Sequence, residues 1–477
     1  MKRSSTIFII LILIFSSVNI FAVSIEEGIE LFYKGEYEAS KKIFEQIHST
    51  EKGKVSKTEG LSLKFLGNIY WQYYDYRTAE RFYIEALLIF NSLNDNIERA
   101  NTLNNLGTIY MMQKEFKRAK ESYDSSKILL ENENDFTGVG HILLNIAVLY
   151  EKQEKYKDSE KTYLELSKLI EDKKIKDPEL LGNLHLDRGK LFFRLAKPEE
   201  ALKDFVKANF IYTKAKLKIG IVISLINMGI TQRELKNYET AVKLLNRARK
   251  IIEEIRGDIS LERSRATFLE NKIFVYEQLA SLYIILNQNE LSFKTVERAK
   301  AKTFVDLIGS KVVGEEKYSG EVKGLIKKEK ELSFKIASKI DKEDVSSLIS
   351  EQKNILNQLK QQAPEYSNLK TVTPISLNQL YNILGKDIIL VDYFLGTEAA
   401  FVFVLKEWTL KVVVLKRKPW EIEERIRKFR QSATGARMNI LDKSWQDDVH
   451  WLYKALFEPI EGYLSKDKLI CIVPHRM

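Results

Sequence analysis

The segment Leu63-Lys-Phe-Leu-Gly67-Asn-Ile-Tyr70 returns as Leu103-Asn-Asn-Leu-Gly107-Thr-Ile-Tyr110 and again as Leu143-Leu-Asn-Ile-Ala147-Val-Leu-Tyr150, a period of about 40 residues. Self-similarity at such a period specifies a stacked array in which each unit covers its neighbour's apolar face. Taking Gly28, Gly67, Gly107, Ala147, Gly189, Gly229 and Ala280 as anchors, the spacings are 39, 40, 40, 42, 40 and 51. Three residues after each anchor stands Leu31, Tyr70, Tyr110, Tyr150, Phe192, Gln232 or Tyr283. Twelve after stands a small residue, Ser40, Ala79, Ala119, Ser159, Ala201, Ala241 or Ser292. Sixteen after comes Phe44, Tyr83, Tyr123, Tyr163, Phe205, Leu245 or Val296.

Apolar residues at helical spacing around each anchor predict a helix A. The anchor is small because a second helix crosses it closely. After a short polar turn, helix B carries the second small residue and, one turn later on the same face, the large residue that fills the gap. This pattern resembles the tetratricopeptide repeat, a helix–turn–helix unit of about 34 residues. The resemblance implies a mostly α chain with a solenoid of seven units over residues 25–308.

The 477 residues suit more than one domain. A net charge of +10 reads as Lys-rich solvated faces, and no nucleic-acid partner is expected, because no basic run is interleaved with aromatics. The most basic cluster, Lys416-Arg417-Lys418 with Arg425, Arg427, Lys428 and Arg430, alternates with Glu421, Glu423 and Glu424, as an exposed helix face does. One cysteine, Cys471, excludes an internal disulfide framework and a cysteine-rich zinc site. The scattered histidines His48, His141, His185, His450 and His475 form no metal-spaced pair. Gly309-Ser-Lys-Val-Val-Gly314 is followed by Glu315, so it is no phosphate loop. No metal and no cofactor are expected.

Lys2-Arg3, the apolar run Ile7–Phe15 and the small residues up to Ala22-Val-Ser24 read as a signal segment over residues 1–24. The expected localisation is export to a bacterial periplasm or the exterior. The alternative is a membrane anchor over residues 7–23, at the short limit for a span and the one expected contact with a membrane.

Past Gly309 the pattern changes. Residues 309–370 read as a helical hairpin, broken near Asp341–Asp344, and a linker marked by Pro364. Strands are expected at Asp387–Phe394, Ala399–Leu405 and Thr409–Leu415, then helices at Trp420–Gln431 and Asp447–Glu458, then a buried strand from Lys468 to Val473. The succession of repeats, Arg298-Ala-Lys-Ala-Lys302, Val391-Asp-Tyr-Phe-Leu-Gly396, Leu452-Tyr-Lys-Ala-Leu-Phe-Glu-Pro459 and Leu469-Ile-Cys-Ile-Val-Pro474 resembles a CHAT protein. The resemblance implies that residues 371–477 are the first part of an α/β caspase-like domain. The family's catalytic His and Cys stand on later strands, so no catalytic residue is assigned here and the chain as given is expected not to be an enzyme. The complete domain would be a cysteine peptidase. Cys471 and His475 are not expected to form a dyad. Four residues of extended strand span roughly 13 Å, against the hydrogen-bond reach of about 3 Å that a nucleophile and its base need. Cys471 is expected to be a small buried hydrophobe.

In such arrays the A helices line the concave face. Two residues before the anchors stand Asn105, Asn145, Asp187, Asn227 and Gln278, and six before stand Asn101, His141 and Asn183. Amide side chains both donate to and accept from a peptide backbone. This ladder is the expected binding surface, holding a protein or peptide partner or the chain's own C-terminal part. The alternative is that these amides satisfy neighbouring helices. The function expected is thus a non-catalytic, exported binding scaffold, with the recognition half of a CHAT-type cysteine peptidase as its alternative.

Overall fold

The computed structural model describes residues 24–258, 262–309, 318–339, 346–364, 377–434 and 444–475. The expected signal segment therefore lies outside the described residues, apart from Ser24, which N-caps the first helix. Two compact units, residues 1–191 and 192–477, divide the chain.

In the first unit the helices pair as α1 (Ile25–Tyr33) with α2 (Tyr37–Glu51), α3 (Lys57–Gln72) with α4 (Tyr76–Leu93), α5 (Asn96–Met112) with α6 (Phe116–Asn132), and α7 (Phe136–Lys152) with α8 (Tyr156–Lys173). Helix α9 (Pro178–Arg194) crosses the division between the units. The second unit continues with α10 (Pro198–Lys214), α11 (Lys218–Glu234) paired with α12 (Tyr238–Asp258), and α13 (Glu262–Ile285) paired with α14 (Asn289–Gly309). These are the helix–turn–helix repeats that the anchor register predicts.

The reason for small anchors is visible in the packing. A Cβ added to Gly67 would lie 2.6 Å from Tyr83 Cε1, one added to Gly107 2.6 Å from Tyr123 Cε1, and one at Gly229 2.7 Å from Leu245 Cγ. The side chains sixteen residues on therefore lie flat against the anchors' backbones, and Phe44, Tyr123 and Tyr163 are fully buried there. The second small residue can add a bond of its own: Ser40 Oγ donates to Gly28 O at 2.8 Å and Ser292 Oγ to Ala280 O at 3.1 Å.

Every A helix ends the same way. The residue seven past the anchor has positive φ in all seven repeats: Gly35, Tyr74, Lys114, Glu154, Ala196, Lys236 and Asn287. In the third repeat Glu115 N–H then reaches back to Tyr110 O at 2.8 Å, closing a Schellman-type cap. Five of the seven residues are neither glycine nor asparagine, so side chains that the left-handed region disfavours are held there by the fold. Several helices start on side-chain caps. Asp95 and Asp135, for example, accept from the N–H groups of Glu98 and Gly138 at 3.1 and 2.9 Å.

After the repeats come the expected hairpin, α15 (Gly320–Lys339) against α16 (Ser346–Gln362), and a short α17 (Leu377–Leu384). Val322, Ile326, Leu332, Ile355 and Leu359 form the hairpin's core. The expected break near Asp341–Asp344 lies outside the described residues. The strands are β1 (Ile388–Leu395), β2 (Ala400–Lys406), β3 (Thr409–Val414) and β4 (Leu469–Val473), in the order β3-β2-β1-β4. Strands β1, β2 and β3 form an antiparallel meander, and β4 pairs parallel to β1 after α18 (Pro419–Thr434), α19 (Ser444–Leu456) and a 3-10 turn (Glu458–Tyr463). Pro459 ends the helix expected to reach Glu458, since its ring cannot continue an α-helical ladder.

Strands β1 and β2 are buried on both faces, which explains runs that are apolar but for Asp392 and the terminal Lys406. Ile389, Val391, Tyr393, Val402 and Val404 face a core completed by Ile422, Ala455, Leu456 and Ile460. The opposite face, bearing Asp392 and Phe403, meets the last repeat, where Phe293 packs edge-on to Phe403 at 5.4 Å. On α18, Lys428 pairs with Glu424 at 2.9 Å along the helix, while the half-buried Arg425 reaches Asp448 of α19 at 2.6 Å; the rest of the basic cluster, Lys416, Arg417, Lys418, Arg427 and Arg430, is exposed, as expected.

One expectation fails. The run Lys468–Val473 predicts a buried strand and a buried Cys471. Strand β4 instead stands at the edge of the described sheet, with Leu469 66% and Ile472 46% exposed and Cys471 exposed too. An apolar run fixes that a segment can be buried, but only its neighbours decide whether it is.

Candidate functional site

The expected ladder positions lie on the A helices, and their bonds are specific. Asn105 Nδ2 donates to Asn68 Oδ1 at 3.0 Å, and the same oxygen accepts from Tyr83 Oη at 2.7 Å. Asn145 Nδ2 donates to Asn104 Oδ1 at 2.7 Å. Both bonds link successive repeats, and Asn105 and Asn145 are joined through these neighbours rather than to each other. Asn227 turns back on its own helix, donating to Ile223 O at 2.8 Å. Asp187 pairs with Lys190 at 2.8 Å, and His141 lies 4.0 Å from Asp177. Asn101 is exposed and Asn183 half-buried. Among the described residues, no group of three or more His, Cys, Asp or Glu side chains could hold a metal.

The last ladder position, Gln278, belongs to a larger constellation that sequence reading missed. Glu277 beside it is fully buried. Its carboxylate accepts four hydrogen bonds from the β1–β2 turn. Oε2 takes Thr397 N–H and Thr397 Oγ1–H, each at 2.7 Å, and Oε1 takes Glu398 N–H at 2.8 Å and Ala399 N–H at 2.6 Å. Successive main-chain N–H groups of a turn make a natural anion nest, here filled by a side chain of the repeat. Four donors on one carboxylate compensate the cost of burying its charge. Gly396 completes the fit, because a Cβ there would overlap the Glu277 carboxyl group. Gln278 adds Nε2 to Glu398 Oε2 at 3.3 Å and receives Arg233 on its Oε1.

A second contact lies further along β1. Lys300 of α14 pairs with Asp392 on β1 and with Glu297 at 3.1 Å. Asp392 is buried, and its Oδ2 has no hydrogen-bond partner. Burial pushes its carboxyl group up to about 7, and Glu297 adds to that rise against the pull of the Lys300 ammonium. The upward direction fits an acid that keeps one oxygen without a donor.

The legible signal for this constellation was weak. Glu277-Gln278 stand inside an apolar stretch, Val275 to Leu279, where a charge must have a partner, and Asp392 interrupts the run Ile388–Leu395 in the same way. Both point to a partner but not to which one. Cys471 and His475 make different contacts. Cys471 pairs with Leu390 on the strand, whereas the His475 ring stacks on Phe394 at 4.8 Å and its Nδ1 accepts Leu395 N–H at 3.1 Å.

No family model and no curated protein sequence matches the chain. Solved structures similar to it include BtubC from P. vanneervenii, at 17% identity and a TM-score of 0.37, covering 46% of this chain and 90% of that one. The quorum sensor NprR in complex with its cognate peptide NprX is 15% identical with a TM-score of 0.41, covering 67% and 87%. A signal-transduction ATPase with a tetratricopeptide repeat sensor from Pyrococcus horikoshii is 16% identical with a TM-score of 0.39, covering 58% and 45%.

Proposed function

We propose that this chain is an exported, non-catalytic scaffold that holds a protein or peptide partner along the A-helix face of its repeats. The observation that carries this reading is the Glu277 carboxylate, which collects three main-chain N–H groups of the Thr397–Ala399 turn. The repeat surface thus grips polypeptide backbone, the chemistry an extended partner offers. Asn105, Asn145 and Asn227 place amides at the corresponding period of earlier repeats, half-buried and already oriented. Held amides lose little further rotamer freedom on meeting a ligand, which favours binding.

The sheet and the helices around it are, in this proposal, the first part of a CHAT-like domain. The order of its segments and the parallel β1–β4 pair support that reading. Neither Cys471 nor His475 acts as a catalytic residue in it. Export rests on the charged and apolar N-terminal run.

The test is binding. A chain with Asn105, Asn145 and Asn227 all changed to alanine should keep its helical circular dichroism and lose capture of the partner that the unaltered chain retrieves from its native host. Capture at undiminished yield would refute the ladder. A thiol-dependent peptidase activity that Cys471→Ser abolishes would refute the non-catalytic reading. Recovery of the chain from the cytoplasm of its host, with its N-terminal segment intact, would refute export.

A further inference from the structure

The turn that joins β2 to β3 breaks a local rule. Lys406 pairs with Thr409, so Glu407 and Trp408 are its two central residues, and their φ angles are 47° and 62°. Two-residue hairpin turns with positive φ at both positions favour Asn-Gly, because bulkier side chains crowd the backbone there. The turn is held from outside, as Lys468 Nζ binds the Glu407 carboxylate and donates to Lys386 O at 2.8 Å. A large ring kept in a disfavoured backbone conformation, and 54% exposed, points to a use other than packing. The turn stands at the Ile388 end of β1, and His475 at the Leu395 end.

Trp408 borders a cleft of about 530 Å³, within the roughly 300–1,000 Å³ typical of ligand sites. The buried Tyr381 of α17 backs the indole, with 5.3 Å between ring centroids. The turn between α13 and α14, Asn287-Gln288-Asn289, lines the same cleft, and Asn378 of α17 adds another amide. Among the described residues these amide side chains make no hydrogen bond, so their donors and acceptors are open to a ligand. The sequence marks this turn as different from the others. Nine residues after the anchor the earlier repeats carry Tyr37, Tyr76, Phe116, Tyr156, Pro198 and Tyr238, whereas the last carries Asn289.

We infer that this cleft is a saccharide site, taking a neutral sugar ring whose C–H face lies on the Trp408 indole and whose hydroxyls bond the surrounding amides. The face of an aromatic ring is its negative side and attracts the weakly positive C–H groups of a pyranose. Hydroxyls both donate and accept, as the carboxamides of Asn287, Gln288, Asn289 and Asn378 do. The carboxylate among the lining residues, Glu290, has the Lys294 ammonium 3.7 Å away, so the cleft offers little net charge to draw a cation onto the rings. The site shares no residue with the amide ladder of the A helices.

The experiment is titration calorimetry on the full chain. The probes are the neutral hexasaccharides of glucose, mannose, xylose and N-acetylglucosamine, with tetramethylammonium and decaproline as the cationic and peptide alternatives. At least one sugar is expected to bind with a Kd of about 1 mM or tighter. Trp408→Gly is expected to weaken it by about tenfold or more without lowering the thermal midpoint, since glycine suits a positive φ. Asn378→Ala, at an exposed position, is expected to weaken it by about threefold to tenfold. Absence of binding by all the sugars at that level would overturn the inference, as would an affinity that Trp408→Gly leaves unchanged. So would a cleft that takes tetramethylammonium or decaproline and none of the sugars. If Trp408→Gly lowers the midpoint, Asn378→Ala decides, and an unchanged affinity there overturns the inference.

Discussion

Helices α5 and α7 of the first unit and helix α13 of the second are A helices of one repeat type, yet they use the same face differently. On α5 and α7, Asn105 and Asn145 each donate one Nδ2 bond to Asn68 and Asn104 of the preceding repeats, which links the array and orients the amides. On α13 the equivalent Gln278, with Glu277 beside it, turns to the β1–β2 turn. The repeat register fixes where such side chains stand, while the neighbour fixes what they do. A face that binds itself needs neutral groups that both donate and accept. A face that meets a turn of unpaired N–H groups is best served by a carboxylate.

The comparison can be broken at its strongest point first. Tyr123→Ala should destabilise the first unit by about 3–5 kcal/mol, because a fully buried ring leaves a cavity against Gly107, and thermal unfolding should show it. The Glu277 clamp should answer next. Glu277→Ala leaves three main-chain N–H groups and a hydroxyl without their acceptor, and should lower the stability of the second unit by about 2–3 kcal/mol. Hydrogen exchange at Thr397, Glu398 and Ala399 should rise in that variant while exchange in α5 and α7 stays put. Gly396→Ala tests the same contact sterically and should cost about 1–3 kcal/mol, read in the same transition.

The fourth test is one of pH. The folded-state carboxyl of Asp392 is raised to about 7, above its ordinary value of 3.8. Between those values the unfolded chain has lost the proton and the folded chain keeps it, so this group's contribution to stability falls as pH rises through the window. The transition of the second unit should therefore weaken from about pH 5 to pH 7, and Asp392→Asn should remove that slope. A slope of the opposite sign would mean that the Lys300 ammonium outweighs burial. The smallest effect belongs to the ladder: Asn105→Ala and Asn145→Ala should each cost about 1 kcal/mol, one half-buried amide bond apiece.

Some of this was legible in advance. The anchors, the small residue twelve on and the large residue sixteen on foretold the helix pairs, because close helix crossing admits few side chains at those points. The apolar runs within Asp387–Phe394, interrupted at Asp392, and Ala399–Leu405 foretold buried strands. The turn closures were not legible. Positive φ falls on Tyr74, Lys114, Glu154, Ala196 and Lys236, residue types that give no local warning of it, since stacking of the flanking helices imposes it. Cys471 was misread for a related reason: a lone cysteine in an apolar strand looks buried until the neighbours of that strand are known.

Sequence alone thus determined the period, the helix pairs and the strands, because each follows from side-chain volume and polarity repeating along one chain. The tertiary structure decided which groups meet: Glu277 with a turn 120 residues away, Lys300 with Asp392, and an apolar β4 left at an edge. Those pairings depend on distances between segments remote in the chain, and a residue's own identity states what it needs without naming what supplies it.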